Sequence, residues 1–523
     1  MSPIPILSPK QAAEWDQHAV VAGIAEASLM ECAGRAVAEL VCDRFGSALG
    51  GAGRGVLVAC GNGNNGGDGW VVARALHRIG VQVSVAAVGT ESGSPLCRQM
   101  AQLARSDGVR EVSPDGPWPA VSLIVDAMLG AGARGAPRGE LSALTARIVD
   151  LDLPVVAVDG PTGLDLLTGV QHGLSPVRAS LTVTFGGYRR GHLLARDDVG
   201  DVVAVDIGFP SPDPAWPRLF TDRDAFVTLP PLRANAHKGT RGRVVVVAGD
   251  TGLTGAARLT ARAAFGAGAG LVHILAPDDS VRTLATAEPD IQTRVQRFDR
   301  APSGDTRALL EQADAVVIGP GLNRDPSRTR FVLDVLEVIT VAVVDADALT
   351  ALQGNLEVLS TLAENRTLVL TPHAGEFRTL FPDLAAEAGV DPWGVAETAA
   401  DQSHTTVLLK GVPTVVAARG SALVTVAAGN PGLATGGSGD TLSGLIATFL
   451  AQGVASQGAA ALGAHVLGRA AELAARRHGA RGLRPMDVVQ ALPELWRGWE
   501  LAALRREHPR SPILHELEAP PRV

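Results

Sequence analysis

Asn430-Pro-Gly-Leu-Ala-Thr-Gly-Gly-Ser-Gly-Asp-Thr-Leu-Ser-Gly444 runs a polar, glycine-rich loop directly into the apolar helical stretch Thr441 to Ala451. Gly436, Gly437 and Gly439 free the backbone amides to face a transferring phosphoryl group, and the helix dipole adds positive potential at that point. Asp440 stands at the mouth of this helix start, where a base takes a proton from a hydroxyl while the amides carry the charge of the phosphoryl oxygens. No G-x-x-x-x-G-K-[ST] occurs, so the loop is not a P-loop. Taken alone, G-x-G-D also fits a capped helix after a flexible loop.

Upstream, several polar or glycine-rich turns follow short apolar runs. Gly319-Pro-Gly-Leu322 follows Ala315 to Ile318, and Asp345-Ala-Asp347 closes Val341 to Asp345. Thr371-Pro-His-Ala-Gly-Glu376 follows Thr367 to Leu370, and Lys410-Gly-Val-Pro-Thr414 follows Thr406 to Leu409. With Val244 to Ala248 and Val272 to Leu275 these runs predict buried parallel strands separated by helices, and ligands of such sheets gather at the carboxyl ends of the strands. Lys410 and Thr414 offer an ammonium and a hydroxyl for nucleotide phosphates. His373 in isolation reads as a hydrogen-bonded loop histidine.

An earlier series repeats the pattern: Val56 to Cys60, Val81 to Val88, Leu123 to Asp126, Val155 to Asp159, Leu181 to Phe185 and Val202 to Ile207. Proline-rich Phe209-Pro-Ser-Pro-Asp-Pro-Ala-Trp-Pro217 separates the two series and predicts a domain boundary between roughly Pro210 and Ala236. Ser8-Pro9-Lys10-Gln11 carries an N-cap, a proline at the first helical position and a Gln three residues on, which starts a helix or pair of helices running to about Phe45. Past about His508 the proline-rich tail reads as loose.

In the first series Gly61-Asn-Gly-Asn-Asn-Gly-Gly-Asp-Gly69 follows a strand and precedes an expected helix from Trp70 to Ile79. Its first six residues match G-x-G-x-x-G, with Glu91 as a conceivable ribose acid, but its density of side-chain oxygens separates it from a dinucleotide fingerprint. Asn62, Asn64, Asn65 and Asp68 are suited to a hard cation or an oriented water. Asp126 leads into the loop Gly130-Ala-Gly-Ala-Arg-Gly135, and Asp159 opens Asp159-Gly-Pro-Thr-Gly-Leu-Asp165. The doubly wound arrangement allows Asn65, Asp126, Asp159 and Thr162 to converge. One such aspartate alone is as readily a helix cap or turn brace.

Asn64 to Gly69, Val125-Asp-Ala127 with its glycine loop, and Val158 to Asp165 resemble the NAD(P)H-hydrate epimerase family over nearly all of residues 1 to 215. The resemblance implies a Rossmann-like doubly wound sheet and a potassium ion held by Asn65, Asp126 and Thr162. It also implies that the damaged cofactor lies along Asn64, Asn65, Gly66, Gly67 and Asp68, along Gly130, Ala131, Gly132, Ala133, Arg134 and Gly135, and against Asp159. Here Gly-Pro-Thr-Gly stands where the family reads Pro-Ser-Gly, which keeps the hydroxyl. The implied chemistry is inversion at C6 of a hydrated nicotinamide ring, with Asp159 as acid and base.

His237-Lys-Gly239, Gly249-Asp-Thr-Gly-Leu-Thr-Gly-Ala256, Gly268-Ala-Gly-Leu271 and the turns already quoted, through the Asp440 loop, are similar to the ADP-dependent NAD(P)H-hydrate dehydratase family. That family has a ribokinase-like α/β/α fold, and the likeness spans roughly 230 to 500. The resemblance implies that Ala256, Gly321, His373 and Asp440 contact the hydrated cofactor. Lys410, Gly411, Val412, Pro413, Thr414 and Gly439 would contact the adenine nucleotide, which brings a magnesium ion. The expected chain is thus α/β with two domains, an epimerase domain at 1–215 and a dehydratase domain at 225–505. The sequence does not choose between ADP and ATP; ADP and a homo-oligomer come from the resemblance. A vitamin or sugar kinase of the same fold, a noncatalytic first domain, and a dehydrogenase are the rival readings.

The bulk properties agree with two packed enzyme domains. The 523 residues are 46% hydrophobic and 19% charged, with 60 glycines and few aromatics, a composition that excludes a disordered chain. A formal net charge of −8 argues against nucleic acid, whose backbone demands a concentrated positive field. Cys32, Cys42, Cys60 and Cys97 show no metal-like spacing and read as buried thiols of a reducing, cytoplasmic compartment. The first ten residues lack the pattern of a secretory signal. Thr441 to Gly468 lacks charged residues, but Gln452, Ser456, Gln457 and His465 interrupt it, which predicts two buried helices and not a membrane span.

Overall fold

A computed structural model describes residues 3–49, 55–173, 176–505 and 512–521. The chain divides into two compact units, one of residues up to Trp216 together with the C-terminal strand, the other beginning at Pro217. The second unit therefore takes in the strand Arg218–Leu219 and the helix Asp222–Thr228, ahead of residue 225.

In the first unit eight strands lie in the order Ile513–Leu517, Asp201–Val205, Leu181–Phe185, Val155–Val158, Leu123–Ala127, Val56–Cys60, Val83–Ala87 and Arg110–Val112. All neighbours are parallel except the first pair. Val56, Val58, Val125 and Val156 face a core shared with the helices Glu26–Leu49, Asn64–Arg78 and Pro95–Ser106. Leu57, Ala59 and Ile124 face the opposite way, against Leu144 and Ile148 of the helix Glu140–Asp150. Coverage on both faces explains why these strands read as unbroken apolar runs. The chain proceeds outward from Val56–Cys60 to Arg110–Val112 and then restarts at Leu123–Ala127, so the topological switch lies between Val56–Cys60 and Leu123–Ala127.

In the second unit ten strands run Arg218–Leu219, Val424–Val426, Thr414–Ala417, Thr406–Leu409, Thr367–Leu370, Val341–Val344, Ala315–Ile318, Arg243–Val247, Leu271–Ala276 and Gln292–Val295. Thr414–Ala417 is antiparallel to both its neighbours. Val244, Val246, Val317 and Val343 join one core with the helices Thr254–Gly266, Ser438–Ala451 and Ser456–His478. The intervening Val245, Val247 and Val344 are also fully buried, so the other face is covered as well. Here the switch lies between Arg243–Val247 and Ala315–Ile318. Across it the Gly249 N–H donates to Pro320 O (3.0 Å) and the Asp250 N–H to Gly321 O (2.7 Å).

Three expectations are corrected. The helix after the first glycine loop starts at Asn64, not Trp70. Its glycines are packing residues: a Cβ on Gly66 would run into the Gly61 carbonyl, on Gly67 into Met30, and on Gly69 into Ala127 and Cys60. Of the tail, residues 506–511 and 522–523 lie outside the described residues, and the part between them is not loose, because Ile513–Leu517 completes the edge beside Asp201–Val205. It is held by an Arg44–Glu516 ion pair (2.6 Å) and by the Tyr188 hydroxyl, 2.8 Å from His515 Nδ1. Of the cysteines only Cys60 and Cys97 are buried; Cys42 is half-buried and Cys32 exposed, because that turn of Glu26–Leu49 faces away from the sheet.

The first helix, Pro9–Val21, has the expected capping box: the Gln11 N–H donates to Ser8 Oγ (3.2 Å) and the Ser8 N–H to Gln11 Oε1 (2.8 Å). Its Trp15 stacks on Phe209 (4.5 Å between centroids) and donates its indole N–H to Pro210 O (3.1 Å), which fastens the proline-rich connection to the first unit. The uncharged stretch from Thr441 forms parts of two helices, Ser438–Ala451 and Ser456–His478, and no helix among the described residues is long and apolar enough to cross a membrane.

Candidate active sites

At the switch point of the first sheet, Asp126 is fully buried. Thr162 donates to it twice, from its N–H to Oδ2 (2.7 Å) and from its hydroxyl to Oδ1 (2.8 Å), and the Met128 N–H adds a third bond at 3.2 Å. Burial nevertheless pushes its carboxyl up to about 6, with these donors pulling the other way. The Thr162 hydroxyl also accepts from the Leu129 N–H (3.1 Å), so it ties the second and third loops together. Gly130 packs so closely on Asn65 that an added Cβ would lie 2.9 Å from Asn65 Oδ1. The amide nitrogen of Asn65 is buried and makes no hydrogen bond.

One residue further along the loop, the Ala131 N–H donates to Asp159 Oδ2 (2.9 Å). Asp159 is buried and adopts a left-handed backbone (φ +62°), which ends its strand at Val158. Its Oδ1 lies 3.1 Å from Arg189 Nη2 and 3.3 Å from the Thr184 hydroxyl. Asp68, one turn beyond Asn65 on the same helix face, is half-buried and makes no hydrogen bond among the described residues. Burial, with Asp159 and Asp16 adding to it, holds its carboxyl well above the usual range. The cluster thus sets a carboxylate paired with arginine beside one that burial drives toward its protonated form. Asn64 accepts from Ser94 (2.8 Å), and Gly132, Arg134 and Gly135 form an exposed rim.

The second site is built on Asp345, buried at the end of Val341–Val344. It accepts from Lys410 Nζ (2.9 Å) and from the Ser443 hydroxyl (2.7 Å), the latter one turn into the helix that Asp440 opens. Lys410 also lies 3.7 Å from Glu376. Burial works against the Asp345 charge, yet Lys410, Ser443 and Thr371 hold its carboxyl below the usual range. Asp440 is the contrast. It makes no hydrogen bond or ion pair among the described residues, and burial, then the charge of Asp345, pushes it up to about 6 despite Lys410. A Cβ on Gly439 would lie 3.3 Å from Lys410 Nζ and 3.6 Å from Asp345 Oδ2, which locates the helix start directly over this pair.

Around that centre, Gly321 (φ +57°) faces Ala256, whose Cβ would be 3.1 Å from one on the glycine. His373 caps the helix Ala374–Leu380: its Nδ1 accepts from the Gly375 N–H (2.9 Å), and its own N–H donates to Glu376 Oε2 (2.9 Å). Thr414 is turned into its own loop, donating to Gly411 O at 3.2 Å, while Val412 is exposed.

Residues 26–191 match the family model described as YjeF-related protein N-terminus, and residues 244–494 that described as NAD(P)H-hydrate dehydratase. The bifunctional NAD(P)H-hydrate repair enzyme Nnr of Escherichia coli K12 is 36% identical over 450 residues, covering 84% of each chain. That of Moorella thermoacetica is 37% identical over 499 residues, 90% of this chain and 92% of its own. The chain belongs to the bifunctional NAD(P)H-hydrate repair enzyme family. Among solved structures, an ADP/ATP-dependent NAD(P)H-hydrate dehydratase from Bacillus subtilis, co-crystallized with ATP/Mg2+, shares 27% identity over 54% of this chain and 98% of its own, with a TM-score of 0.47.

For a member of the repair enzyme family, four groups at these sites carry no sequence signal of their own. Arg189 and His192 follow Gly186-Gly187 after the strand Leu181–Phe185, a glycine turn with no acidic or amide side chain to mark it. Glu376 was legible only as a letter in its motif, although it braces both His373 and Lys410. Asp16, on the first helix, lies before the matched region; burial pushes it up to about 6, opposed by Arg189 and reinforced by Asp159.

Proposed function

We propose that this chain repairs hydrated NADH and NADPH, epimerising their R and S forms in the first unit and dehydrating the S form in the second with conversion of ADP to AMP and phosphate. Family membership supports both activities, and the observation that carries the second is the unpaired Asp440 above the Lys410–Asp345 pair at a helix start.

In the dehydratase site Asp440 takes the proton of the C6 hydroxyl. The freed oxygen attacks the terminal phosphorus of ADP, and the bond to the bridging oxygen breaks to release AMP. Amides of the Gly436–Gly439 loop and the helix dipole carry the charge that develops on the phosphoryl oxygens. Phosphate, unlike hydroxide, is a good leaving group. The ring nitrogen expels it from C6, and loss of a C5 proton restores the dihydropyridine. Magnesium arrives with the nucleotide phosphates as part of the substrate. Ala256, Gly321 and His373 would line the hydrated ring, and Gly411 to Thr414 with Gly439 the nucleotide. Lys410, engaged by Asp345, acts through that pair as much as on the phosphates.

In the epimerase site the same ring nitrogen expels water with a proton supplied at the hydroxyl, and water returns to either face of the iminium. Asp159 is the acid and base, beside the loop Gly130 to Gly135 and the helix start Asn64 to Asp68, whose Gly66 and Gly67 pack inward. The oxygens of Asn65, Asp126 and Thr162 suit a potassium ion, because a fully buried carboxylate displaced to about 6 is short of positive charge. A bound ion would supply that charge beside Asp126. The resemblance also supports a homo-oligomer acting in the cytoplasm.

The test is Asp440→Asn. Loss of a general base costs about 10²- to 10⁴-fold in rate, so this variant is expected to bind ADP normally and to lose phosphate release and the reduced-nicotinamide absorbance together. Near-parent turnover would remove Asp440 from the mechanism, and a phosphoester that accumulates without absorbance would mark a kinase.

A further inference from the structure

The backbone of Asp159 is left-handed, a conformation aspartate tolerates better than most residues with a Cβ but that still costs free energy. Neighbours engage every polar atom of the residue. Its N–H donates to Val183 O (2.8 Å), which continues the ladder. Its carbonyl lies 2.6 Å from His192 Nε2. Its carboxylate is held by Arg189, Ala131 and Thr184.

The protonation of His192 follows from this geometry. The Arg189 backbone N–H donates to His192 Nδ1 at 3.0 Å. Because a peptide N–H only donates and a carbonyl only accepts, Nδ1 is bare and Nε2 carries the single proton, donated to Asp159. Burial, which holds the fully buried ring down at about 4, agrees with a neutral imidazole. Arg189 therefore grips Asp159 twice, through its guanidinium on the carboxylate and through its backbone and His192 on the carbonyl. The ion pair is nearly dry, with side-chain exposures of 8% and 11%. The Nε of Arg189 is buried without a partner, so this guanidinium depends on Asp159 in turn.

Resting on the reading of Asp159 as the epimerase acid and base, we propose that His192 and Arg189 are its positioning residues: together they lock the strained backbone of Asp159 and aim its carboxylate at the hydrated ring. Neither is proposed to touch substrate.

The experiment uses the full chain and compares His192→Leu, His192→Gln and Asp159→Asn in epimerisation of purified R hydrate, with resistance of the first unit to limited proteolysis, matched to the parent, reporting that this unit is folded. A displacement of the order of 1 Å at a catalytic group costs about 10²-fold. His192→Leu is expected to lose about that factor in kcat with KM little changed. His192→Gln, whose amide nitrogen replaces Nε2, is expected to recover most of it. If Asp159→Asn is inactive while His192→Leu keeps the parent rate, or if Gln is no better than Leu, the bracing role is wrong and the role of Asp159 stands. If Asp159→Asn itself keeps the parent rate, the underlying reading fails first. Should His192→Leu not fold, Arg189→Met is expected to show the same loss in kcat, and a parent kcat there overturns the proposal.

Discussion

Lys410 Nζ donates to Asp345 Oδ1 at 2.9 Å, so the cation that the sequence offers to phosphates is committed to a buried carboxylate. Stranding one partner of a buried pair costs about 3 to 5 kcal/mol, whereas removing both is far milder. Lys410→Met is therefore expected to lower the denaturation midpoint of the second unit sharply, and adding Asp345→Asn to restore much of it. Equal losses in the single and double variants, read by chemical denaturation, would show that the pair is not coupled.

The charge on Asp440 works against the fold. Its folded value of about 6 lies above the ordinary 3.8, so the native state binds the proton more tightly than the unfolded chain does. The penalty is absent below about pH 4, grows as pH rises through 6, and is fully present above it. Asp440→Asn should thus stabilise the protein at pH 7.5 by about 1 to 3 kcal/mol, with the gain disappearing toward pH 4. For the parent enzyme, dehydratase kcat/KM should fall as pH drops through about 6, because the base must be free in the unliganded site. Thermal melts across pH and a pH–rate profile check the two halves separately.

Gly66 has no room for a methyl group, since a Cβ would collide with the Gly61 carbonyl. Gly66→Ala is expected to push the first turn of its helix off the sheet, abolish epimerisation and leave the dehydratase working. A parent epimerase rate in Gly66→Ala would mean that this loop is not where the substrate lies.

Thr162→Val removes the hydroxyl that donates to Asp126 and accepts from Leu129. Loss of one hydrogen bond to a buried charged group costs about 1.5 to 3 kcal/mol, and the potassium requirement of epimerisation should weaken with it. Thr162→Ser should behave as the parent. Titrating epimerase activity with potassium chloride against choline chloride distinguishes them.

Much of this was legible in the residues. The runs at Val56–Cys60, Leu181–Phe185, Ala315–Ile318, Thr367–Leu370 and Thr406–Leu409 are strands over those same bounds, because a strand buried on both faces is apolar apart from β-branched threonines, of which Thr182 and Thr184 donate to backbone carbonyls. Edge strands escaped notice. Arg110–Val112 and Gln292–Val295 are short and charged, and Ile513–Leu517 is framed by prolines, so none shows that pattern. Glycines misled in one respect: Gly66, Gly67 and Gly69 look like loop residues but lie inside a helix, where close packing on Gly61, Met30 and the strand residues Ala127 and Cys60 outweighs a propensity cost of about 1 kcal/mol each. The strand-end aspartates Asp126, Asp159 and Asp345 stood out by position, but which of them would be paired depended on Thr162, Arg189 and Ser443, residues whose partners lie 30 to 98 positions away. Such pairings arise only from the fold.

Division of labour between the two units is tested most directly by incubating an equal mixture of R and S NADH hydrate with the full chain, potassium, magnesium and ADP, and following both epimers by chromatography. The parent enzyme should consume both to completion. Asp159→Asn should consume the S form and leave R to its slow spontaneous exchange, while Asp440→Asn should interconvert the two without consuming either. Consumption of R by Asp159→Asn at the parent rate, or formation of NADH by Asp440→Asn at the parent rate, would contradict the account.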